Sequence, residues 1–169
     1  GARVVIVTGA SRGIGLAAAR RFAAEGDAVG LIARDPEVLA TAADAIDGPS
    51  AMAPADVADA AAVAAAIATI ESHLGPCDVL VNNAGIGAWG AAVDTEPDVF
   101  RRLVEINYLG VVHATAAVLP GMLHRGRGRI VNVGSVAGRI GAPFEAAYSA
   151  SKFAVVGYTE ALAGELAGT

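Results

Sequence analysis

Short runs of apolar, β-branched residues alternate along this chain with longer alanine-rich stretches of helical length. Parallel strands need a crossover between them, so this alternation predicts repeated βα units around a parallel sheet, an α/β fold. We expect five strands, at residues 3–7, 28–33, 50–53, 78–81 and 128–133. We also expect five helices, at residues 13–25, 37–45, 59–74, 97–123 and 147–167. The fourth helix is long and is predicted to bend or break near Gly110.

The composition is that of a compact globular protein. A length of 169 residues is enough to bury a core but leaves little room for a second folding unit. Hydrophobic residues make up 54% of the chain and charged residues 17%, which is too apolar a balance for disorder. The longest apolar run, at residues 60–68, is far shorter than the roughly 20 residues that span a bilayer. We therefore expect one domain and no membrane segment.

Charge and cysteine content narrow the classes of partner. The net charge of -5 comes without a basic stripe, which argues against a nucleic-acid partner. His73, His113 and His124 lack the spacing of metal ligands, so we predict no metal site. Cys77 is the single cysteine, and the N-terminus shows no signal-peptide pattern. We therefore expect a reducing, cytoplasmic location.

A glycine-rich segment joins the first predicted strand to the first predicted helix. It reads Thr-Gly-Ala-Ser-Arg-Gly-Ile-Gly over residues 8–15. Backbone N–H groups at a helix N-terminus bind a pyrophosphate only if no side chain blocks its approach, and glycine also permits unusual φ angles. The candidate residues for this contact are Gly9, Ser11, Arg12, Gly13, Ile14 and Gly15. A plain glycine-rich turn is the alternative.

The residues at the end of the second predicted strand bear on the choice of cofactor. Dinucleotide enzymes that prefer NAD usually place an acidic residue here, in contact with the ribose hydroxyls. This chain has Ala33 and then Arg34, whose guanidinium can pair with a 2′-phosphate, and Arg12 could approach the same group. The pattern favours NADP(H) over NAD(H). Against it, Asp35 follows directly, and both arginines could be ordinary surface charges.

Two more segments follow predicted strands at the carboxyl edge of the sheet, where open α/β sheets bind their ligands. Asp56 and Val57 follow the third strand and could meet the adenine, although a helix N-cap role for Asp59 is at least as good an explanation of that region. The fourth strand is followed by Asn82, Asn83, Ala84 and Gly85. These small and polar residues could line a cofactor, form a well-bonded loop, or do both.

Tyr148 and Lys152 stand four residues apart in the last predicted helix, which places them on one face. Hydride transfer to a carbonyl leaves an oxygen that needs a proton, and a phenol can give that proton or remove it in the reverse reaction. A nearby ammonium stabilises the phenolate. Ser135, just after the fifth strand, could hydrogen-bond the substrate oxygen. Taken alone, a tyrosine and a lysine four residues apart are an ordinary helical surface pair far more often than a catalytic pair.

Together these elements resemble the short-chain dehydrogenase/reductase family. The family's Thr-Gly-x-x-x-Gly-x-Gly, Asn-Asn-Ala-Gly, strand-five serine and Tyr-x-x-x-Lys elements occur here in order and cover essentially the whole chain. The resemblance implies a Rossmann-type, doubly wound parallel sheet with strand order 3-2-1-4-5. It also implies one NADP-binding domain over residues 1–169 and, through helices 97–123 and 147–167, a homodimer or homotetramer. Burial against the sheet would explain the apolar content of these two helices as well.

The resemblance implies a role for each residue of the reactive centre. Tyr148 is the catalytic acid/base, Lys152 binds the nicotinamide ribose and favours the phenolate, and Ser135 positions the substrate. Asn107 matches the remaining family position and holds a water that links Lys152 to solvent, although taken alone it could be a helix-kink residue or a core polar residue. The implied activity is NADP(H)-dependent hydride transfer between nicotinamide and a small ketone, aldehyde or secondary alcohol. Four loop residues either wall an apolar substrate pocket or simply pack: Trp89, Ile140, Pro143 and Phe144.

The chain departs from the family after the helix that carries Tyr148. Family members continue into a sixth strand, a Pro-Gly loop, a substrate-binding segment and a seventh strand, none of which follows Thr169. We therefore expect a truncated or incompletely ordered C-terminus, with the fifth strand at an exposed edge. The second hypothesis is a catalytically incomplete nucleotide-binding or interaction module.

Overall fold

Five parallel strands form one sheet in the computed structural model, which describes residues 2–168. They are β1 (Val4–Thr8), β2 (Ala28–Ala33), β3 (Ser50–Pro54), β4 (Val79–Asn82) and β5 (Arg129–Asn132). The order across the sheet is β3-β2-β1-β4-β5, and each neighbouring pair runs parallel. The predicted fold class and strand order are confirmed.

The α-helices follow the predicted ranges with small shifts at their ends. They are α1 (Gly13–Ala24), α2 (Pro36–Asp44), α3 (Ala60–Leu74), α4 (Pro97–Leu103), α5 (Gly110–Arg125) and α6 (Ala146–Glu165). Asp35 and Asp59 are the N-cap residues of α2 and α3. Each carboxylate accepts hydrogen bonds from two backbone N–H groups of the first turn, so each helix begins one residue later. Pro36 begins α2, since proline suits the first helical position.

The helix predicted over residues 97–123 is interrupted before Gly110. Between α4 and α5 the backbone forms a π-helical segment, Val104–Leu109, which ends directly before Gly110. Gly110 packs against Val57, and a Cβ there would lie 2.8 Å from Val57 Cγ2. The predicted break is therefore present, as a wider turn rather than a bend. Single π-helical turns are rare and occur frequently at functional sites.

Helices cover both faces of the sheet because alternate residues of its strands point to opposite sides. Val5 and Val7 of β1 pack in one core with α1 and α2, whereas Val4 and Ile6 pack in another with α3 and α5. Burying a valine or isoleucine side chain contributes about 1.5–3 kcal/mol. The two cores leave the carboxyl edge of the strands free for loops, which is where the predicted site residues lie.

The helical stretch Pro97–Arg125 is long and apolar enough, by length and composition alone, to cross a membrane. Several of its residues, including Ile106, Ala114, Val118 and Met122, are buried in the core that contains α3. Core burial and lipid favour the same apolar residues, so packing against the sheet accounts for the hydropathy of this stretch.

Candidate active site and cofactor cleft

A cleft of about 630 Å³ opens at the carboxyl ends of β1 to β4. Ten of the predicted cofactor-binding residues line it: Gly9, Ser11, Arg12, Ile14, Arg34, Asp56, Val57, Asn83, Ala84 and Gly85. Ile14 is 70% exposed on its wall. The structure therefore brings segments that are far apart in the sequence into one concave surface.

The glycines of the first loop permit contacts that no other residue allows. Gly9 has a φ of +65°, and a Cβ there would lie 2.8 Å from Ala84 Cα. A Cβ on Gly15 would collide with the carbonyl oxygen of Gly9. Gly13 has a φ of +57° and faces open space, with nothing within 4 Å of a Cβ. Gly9 and Gly15 thus let the two loops approach each other, while Gly13 leaves the approach to α1 open.

The N-terminus of α1 suits a pyrophosphate. Unlike Asp35 and Asp59 at the starts of α2 and α3, Arg12 makes no side-chain capping bond to any described residue. The first N–H groups of α1 are therefore available to an anion, which the helix dipole also attracts. A phosphate of a dinucleotide fits this cradle.

The Asn-Asn-Ala-Gly segment joins the loop after β4 to the loop after β1. Asn83 Nδ2 donates to the carbonyl oxygens of Thr8, at 3.1 Å, and Gly9, at 3.2 Å. The backbone N–H groups of Asn83 and Ala84 both donate to Thr8 Oγ1, at 3.1 Å. Because Asn83 and Ala84 also line the cleft, the segment is both a well-bonded loop and part of the cleft wall.

The other residues predicted to meet the adenosine occupy the far end of the cleft. Asp56 Oδ1 accepts the backbone N–H of Ala58, which orients its loop, and Val57 is buried behind it. Arg34 is exposed on the cleft wall. Asp35, which also lines the cleft, uses its carboxylate to cap α2.

Lys152 and Tyr148 lie together near the inner end of the cleft. Lys152 is buried, its Nζ donates to the carbonyl oxygen of Val133 at 3.0 Å, and it lies 5.9 Å from the centre of the Tyr148 ring. A Cβ on Gly85 would lie 3.8 Å from the same Nζ. Burial lowers the pKa of Lys152, because the charged form loses hydration. The ammonium thus stands between the ends of β4 and β5, beside a half-buried tyrosine.

Asn107 ties the loop after β4 to α6. It is fully buried, and its Nδ2 donates to the carbonyl oxygen of Ile86 at 2.9 Å and to Ser151 Oγ at 3.0 Å. Its Oδ1 accepts the N–H of Ile86 at 2.8 Å. Ser151 Oγ donates to the carbonyl oxygen of Tyr148 at 2.8 Å. The side chain is therefore engaged with protein atoms, and its role in holding a water stays a prediction.

Ser135 lies on the segment that packs against Lys152. Its Oγ accepts the N–H of Ala137 at 3.2 Å and is half-buried, so the hydroxyl hydrogen can still be donated to a ligand. Three residues further on, a Cβ on Gly138 would lie 2.8 Å from the carbonyl oxygen of Lys152. This close approach holds the Ser135 segment on α6. All four predicted catalytic residues therefore belong to one connected region.

An amide ladder that sequence reasoning missed connects β4 and β5 to α6. Asn82 Nδ2 donates to Asn132 Oδ1 at 2.9 Å, and Asn132 Nδ2 donates to Thr159 Oγ1 at 2.8 Å. Asn82 and Asn132 are direct neighbours in the strand register. The ladder fixes α6, and with it Tyr148, relative to the sheet.

Further cleft residues were also missed by sequence reasoning: Ala33, Val38, Ala55, Ile86 and Ile106. The position of Ala33 and Ala55 at or just beyond strand ends is a signal that could have identified them, since parallel sheets bind ligands there. Ile86 directly follows the predicted Asn-Asn-Ala-Gly segment, which is a comparable signal. No sequence signal marks Ile106, which lies in the π-helical segment.

The chain is similar to characterised proteins over nearly its whole length. The family described as short chain dehydrogenase matches residues 3–169. The chain is 44% identical over 167 residues to 2-dehydro-3-deoxy-L-rhamnonate dehydrogenase (NAD(+)) of Sphingomonas, covering 98% of this chain and 67% of that protein. It is 41% identical over 172 residues to dehydrogenase/reductase SDR family member 7B of Bos taurus, covering 96% of this chain and 53% of that protein.

Solved structures agree with the sequence comparisons. A crystal structure of an actinorhodin polyketide ketoreductase variant with NADPH matches with a TM-score of 0.93 and 42% identity. The match covers 99% of this chain and 66% of that one. This chain thus spans between about half and two-thirds of the length of these three proteins. With the motif geometry, these matches show that the chain belongs to the short-chain dehydrogenase family.

Proposed function

We propose that this chain is the nucleotide-binding and catalytic part of an NADP(H)-dependent oxidoreductase that interconverts a small ketone or aldehyde and its alcohol. One observation carries the proposal. The cleft lined by the glycine loop and Arg34 extends to Gly85, and Gly85 lies beside the buried ammonium of Lys152, next to Tyr148. A dinucleotide lying in the cleft would therefore present its reactive end to an acid/base group.

The proposed chemistry divides between the cofactor and the chain. A nicotinamide cofactor held in the cleft would supply hydride to the carbonyl carbon, or would accept it from the alcohol carbon. Tyr148 donates its phenolic proton to the carbonyl oxygen, and in the reverse direction it takes up the hydroxyl proton. The Lys152 ammonium stabilises the resulting phenolate, an effect that its burial strengthens. Ser135 donates its hydroxyl hydrogen to the same substrate oxygen and so orients it.

Arginines on the cleft wall support the preference for NADP(H). Arg12 and Arg34 form no ion pair with a carboxylate among residues 2–168. The carboxylate of Asp35, the nearest acidic residue in sequence, is engaged in capping α2. A 2′-phosphate would therefore meet free guanidinium groups. The name of one relative specifies NAD(+) and one solved relative contains NADPH, so the preference rests on these side chains.

Calorimetric titration with NADPH and with NADH tests the cofactor preference. We expect NADPH to bind more tightly, and Arg34→Ala to weaken NADPH binding by roughly 10- to 100-fold, the value of a charge-assisted hydrogen bond. Asp35→Asn is the matched control, because asparagine still caps α2 but carries no charge. It should preserve or increase the preference for NADPH. Equal affinities for the two nucleotides in the unaltered protein would contradict the preference.

Replacing Tyr148 with phenylalanine tests the catalytic assignment. The variant should lose NADPH-dependent reduction of a panel of ketones and aldehydes, while its NADPH dissociation constant stays within about twofold, since no charge is removed from the cleft. A variant that retains turnover would refute the role of Tyr148. If the unaltered chain binds NADPH but reduces no carbonyl, the second hypothesis, a nucleotide-binding module without turnover, is favoured instead.

A further inference from the structure

Trp89 and Phe144 form an exposed aromatic pair on two loops that border the proposed reactive centre. Their rings are stacked, with centroids 5.7 Å apart and planes inclined by 24°. Trp89 is nevertheless 75% exposed and Phe144 54% exposed. Stacking covers one face of each ring and leaves much of the remaining aromatic surface in water. Exposed apolar surface of this kind often marks a binding site.

The first of the two loops starts at Gly85, beside the side chain of Lys152. Gly85 lies beside Lys152 Nζ, and the next residue, Ile86, is held at both its N–H and its carbonyl by Asn107. Trp89 follows three residues later. Asn107, which also donates a hydrogen bond to Ser151 of α6, therefore holds the start of the loop that carries Trp89.

The second loop ends at the catalytic tyrosine. The N–H of Ala142 donates to Ser149 Oγ at 3.2 Å, which fastens this loop to α6 next to Tyr148. Phe144 precedes Tyr148 by four residues. The two loops meet where the N–H of Gly90 donates to the carbonyl oxygen of Phe144 at 2.8 Å. One loop therefore begins beside Lys152 and the other ends at Tyr148, and the two loops contact each other at the aromatic pair.

The backbone of Phe144 is held in an unfavourable conformation. Its φ is +66°, in the left-handed region, and it is the one non-glycine residue with a positive φ within residues 2–168. A bulky side chain adopts this region only when its surroundings enforce it, and such positions cluster at ligand sites. Here the enforcing contacts are the Gly90 hydrogen bond and the Trp89 stack, which together fix the direction of the Phe144 ring.

The charges around the pair restrict what it can bind. The two segments 85–96 and 140–148 contain no lysine or arginine, and they carry Asp94, Glu96 and Glu145. The second segment also carries Ile140, whose side chain is 68% exposed. An anionic group would find no basic partner within these two segments, whereas an uncharged planar ring can stack on the exposed aromatic surface.

We infer that the Trp89–Phe144 pair binds the aromatic ring of the substrate, and that the enzyme acts on uncharged aryl ketones and the corresponding benzylic alcohols. The inference rests on the proposed function, because it names the substrate class of the same site. The carbonyl or hydroxyl group is held by Tyr148 and Ser135, and the ring is held by the pair. Neither Trp89 nor Phe144 takes part in proton or hydride transfer.

Trp89 is the single tryptophan of the chain, so its fluorescence reports directly on the proposed contact. The probes are 1-phenylethanol and 1-cyclohexylethanol, which share the hydroxyl group and ring size but differ in aromaticity. With NADP(+) bound, 1-phenylethanol should change the Trp89 emission saturably and 1-cyclohexylethanol should not. The kcat/KM for NADP(+) reduction should favour the phenyl compound by roughly tenfold, the value of a good aromatic contact.

Two variants and a control sharpen the test. Phe144→Leu keeps Trp89 as the reporter and should reduce both the emission change and the substrate preference, the latter to within about twofold. Trp89→Leu should reduce the preference in the same way. Val93→Ala, at a side chain 91% exposed on the same loop, should change neither quantity. NADPH binding should be unaltered in all three, which verifies that each variant is folded.

The outcomes separate this inference from the proposed function. Turnover of both alcohols with equal kcat/KM, and no response of Trp89, would overturn the inference and leave the oxidoreductase assignment intact. A saturable Trp89 response to 1-phenylethanol alone, without turnover, would support the aryl site and count against the catalytic assignment. Absence of any response to either alcohol in the NADP(+)-bound protein would overturn the inference.

Discussion

Gly110 and Val57 touch directly beneath the wall of the cofactor cleft. A Cβ on Gly110 would lie 2.8 Å from Val57 Cγ2 and 2.9 Å from Val57 Cβ, and Val57 lines the cleft. Gly110→Ala should therefore push Val57 toward the cofactor and weaken NADPH binding by roughly tenfold, since relieving such overpacking costs about 1–3 kcal/mol. Calorimetric titration of the variant measures the effect.

Gly157 provides the matched control for this substitution. It lies within α6, with nothing within 4 Å of a Cβ, so Gly157→Ala meets no obstacle. Alanine should stabilise the helix by up to about 1 kcal/mol and leave NADPH binding unchanged. Unaltered NADPH affinity in Gly110→Ala would show that the Val57 contact does not shape the cleft.

Lys152 is a buried charge whose removal should stabilise the fold. Burial lowers its pKa from the ordinary 10.5, so the unfolded chain binds the proton more tightly than the folded chain does. Stability should therefore rise with pH between the lowered value and 10.5, where the unfolded lysine also titrates. Lys152→Met should be inactive yet more stable than the unaltered protein near neutral pH, with the difference shrinking as the pH approaches 10.5.

Urea unfolding at several pH values measures this difference. Lys152→Arg is the control, because it keeps a positive charge at the same position and should show no gain near neutral pH. Val133, whose carbonyl oxygen accepts from Lys152, is half-buried, so water can replace the lost donor in the methionine variant. A methionine variant that is less stable at every pH would contradict the account.

At the scale of elements, α3 depends on a single capping side chain. Asp59 Oδ1 accepts the N–H groups of Ala61 and Ala62, at 2.9 and 3.0 Å. Asp59→Ala should lower the free energy of unfolding by about 1 kcal/mol, because two N–H groups lose their partner. Asp47→Ala removes an equal charge from an exposed loop and should change stability by less than about 0.5 kcal/mol.

Chemical denaturation of the two variants compares them directly, and NADPH affinity should be unchanged in both because neither residue lines the cleft. Equal stabilities for Asp59→Ala and Asp47→Ala would show that the cap contributes nothing.

The cap was predictable because an aspartate directly before an apolar helical run is a local signal. The π-helical segment was predictable only as a break, since its wide turn depends on contacts from Asn107 to distant Ile86 and Ser151.

At the scale of the whole molecule, β5 borders the five-stranded sheet within the part of the chain that the structure describes. No strand within residues 2–168 pairs with its outer side, and Val131 is 46% exposed. Unpaired edge strands promote association, and a lysine on the edge opposes it. We therefore expect the mass of this chain, measured by light scattering, to rise with concentration, and Val131→Lys to shift that rise to higher concentration.

Val93→Lys is the control for charge alone, because Val93 is an exposed valine away from the sheet edge. It should leave the association unchanged. If Val131→Lys has no effect on a concentration-dependent mass, the association runs through another surface, such as the helices that the family resemblance implicates. A constant monomeric mass for the unaltered chain would show that the edge is not adhesive.

The sequence by itself determined the features that depend on residues close together along the chain. The alternation of strand and helix patterns, the loop of Gly9, Gly13 and Gly15, and the spacing of Tyr148 and Lys152 are all local. They predicted the parallel sheet and most of the cleft wall, and the family resemblance that they support implied the strand order. Local signals suffice there because parallel βα units permit few arrangements, and all their carboxyl ends meet at one edge.

Only the tertiary structure decided which distant residues share a contact. The ladder from Asn82 through Asn132 to Thr159, and the stack of Trp89 on Phe144, join segments that lie many residues apart. An asparagine or a tryptophan has no sequence signal for its partner, because one side chain can satisfy its hydrogen bonds or bury its ring in many ways. The choice among those ways is made by packing of the whole chain, which sets the distances and directions that the local pattern leaves open.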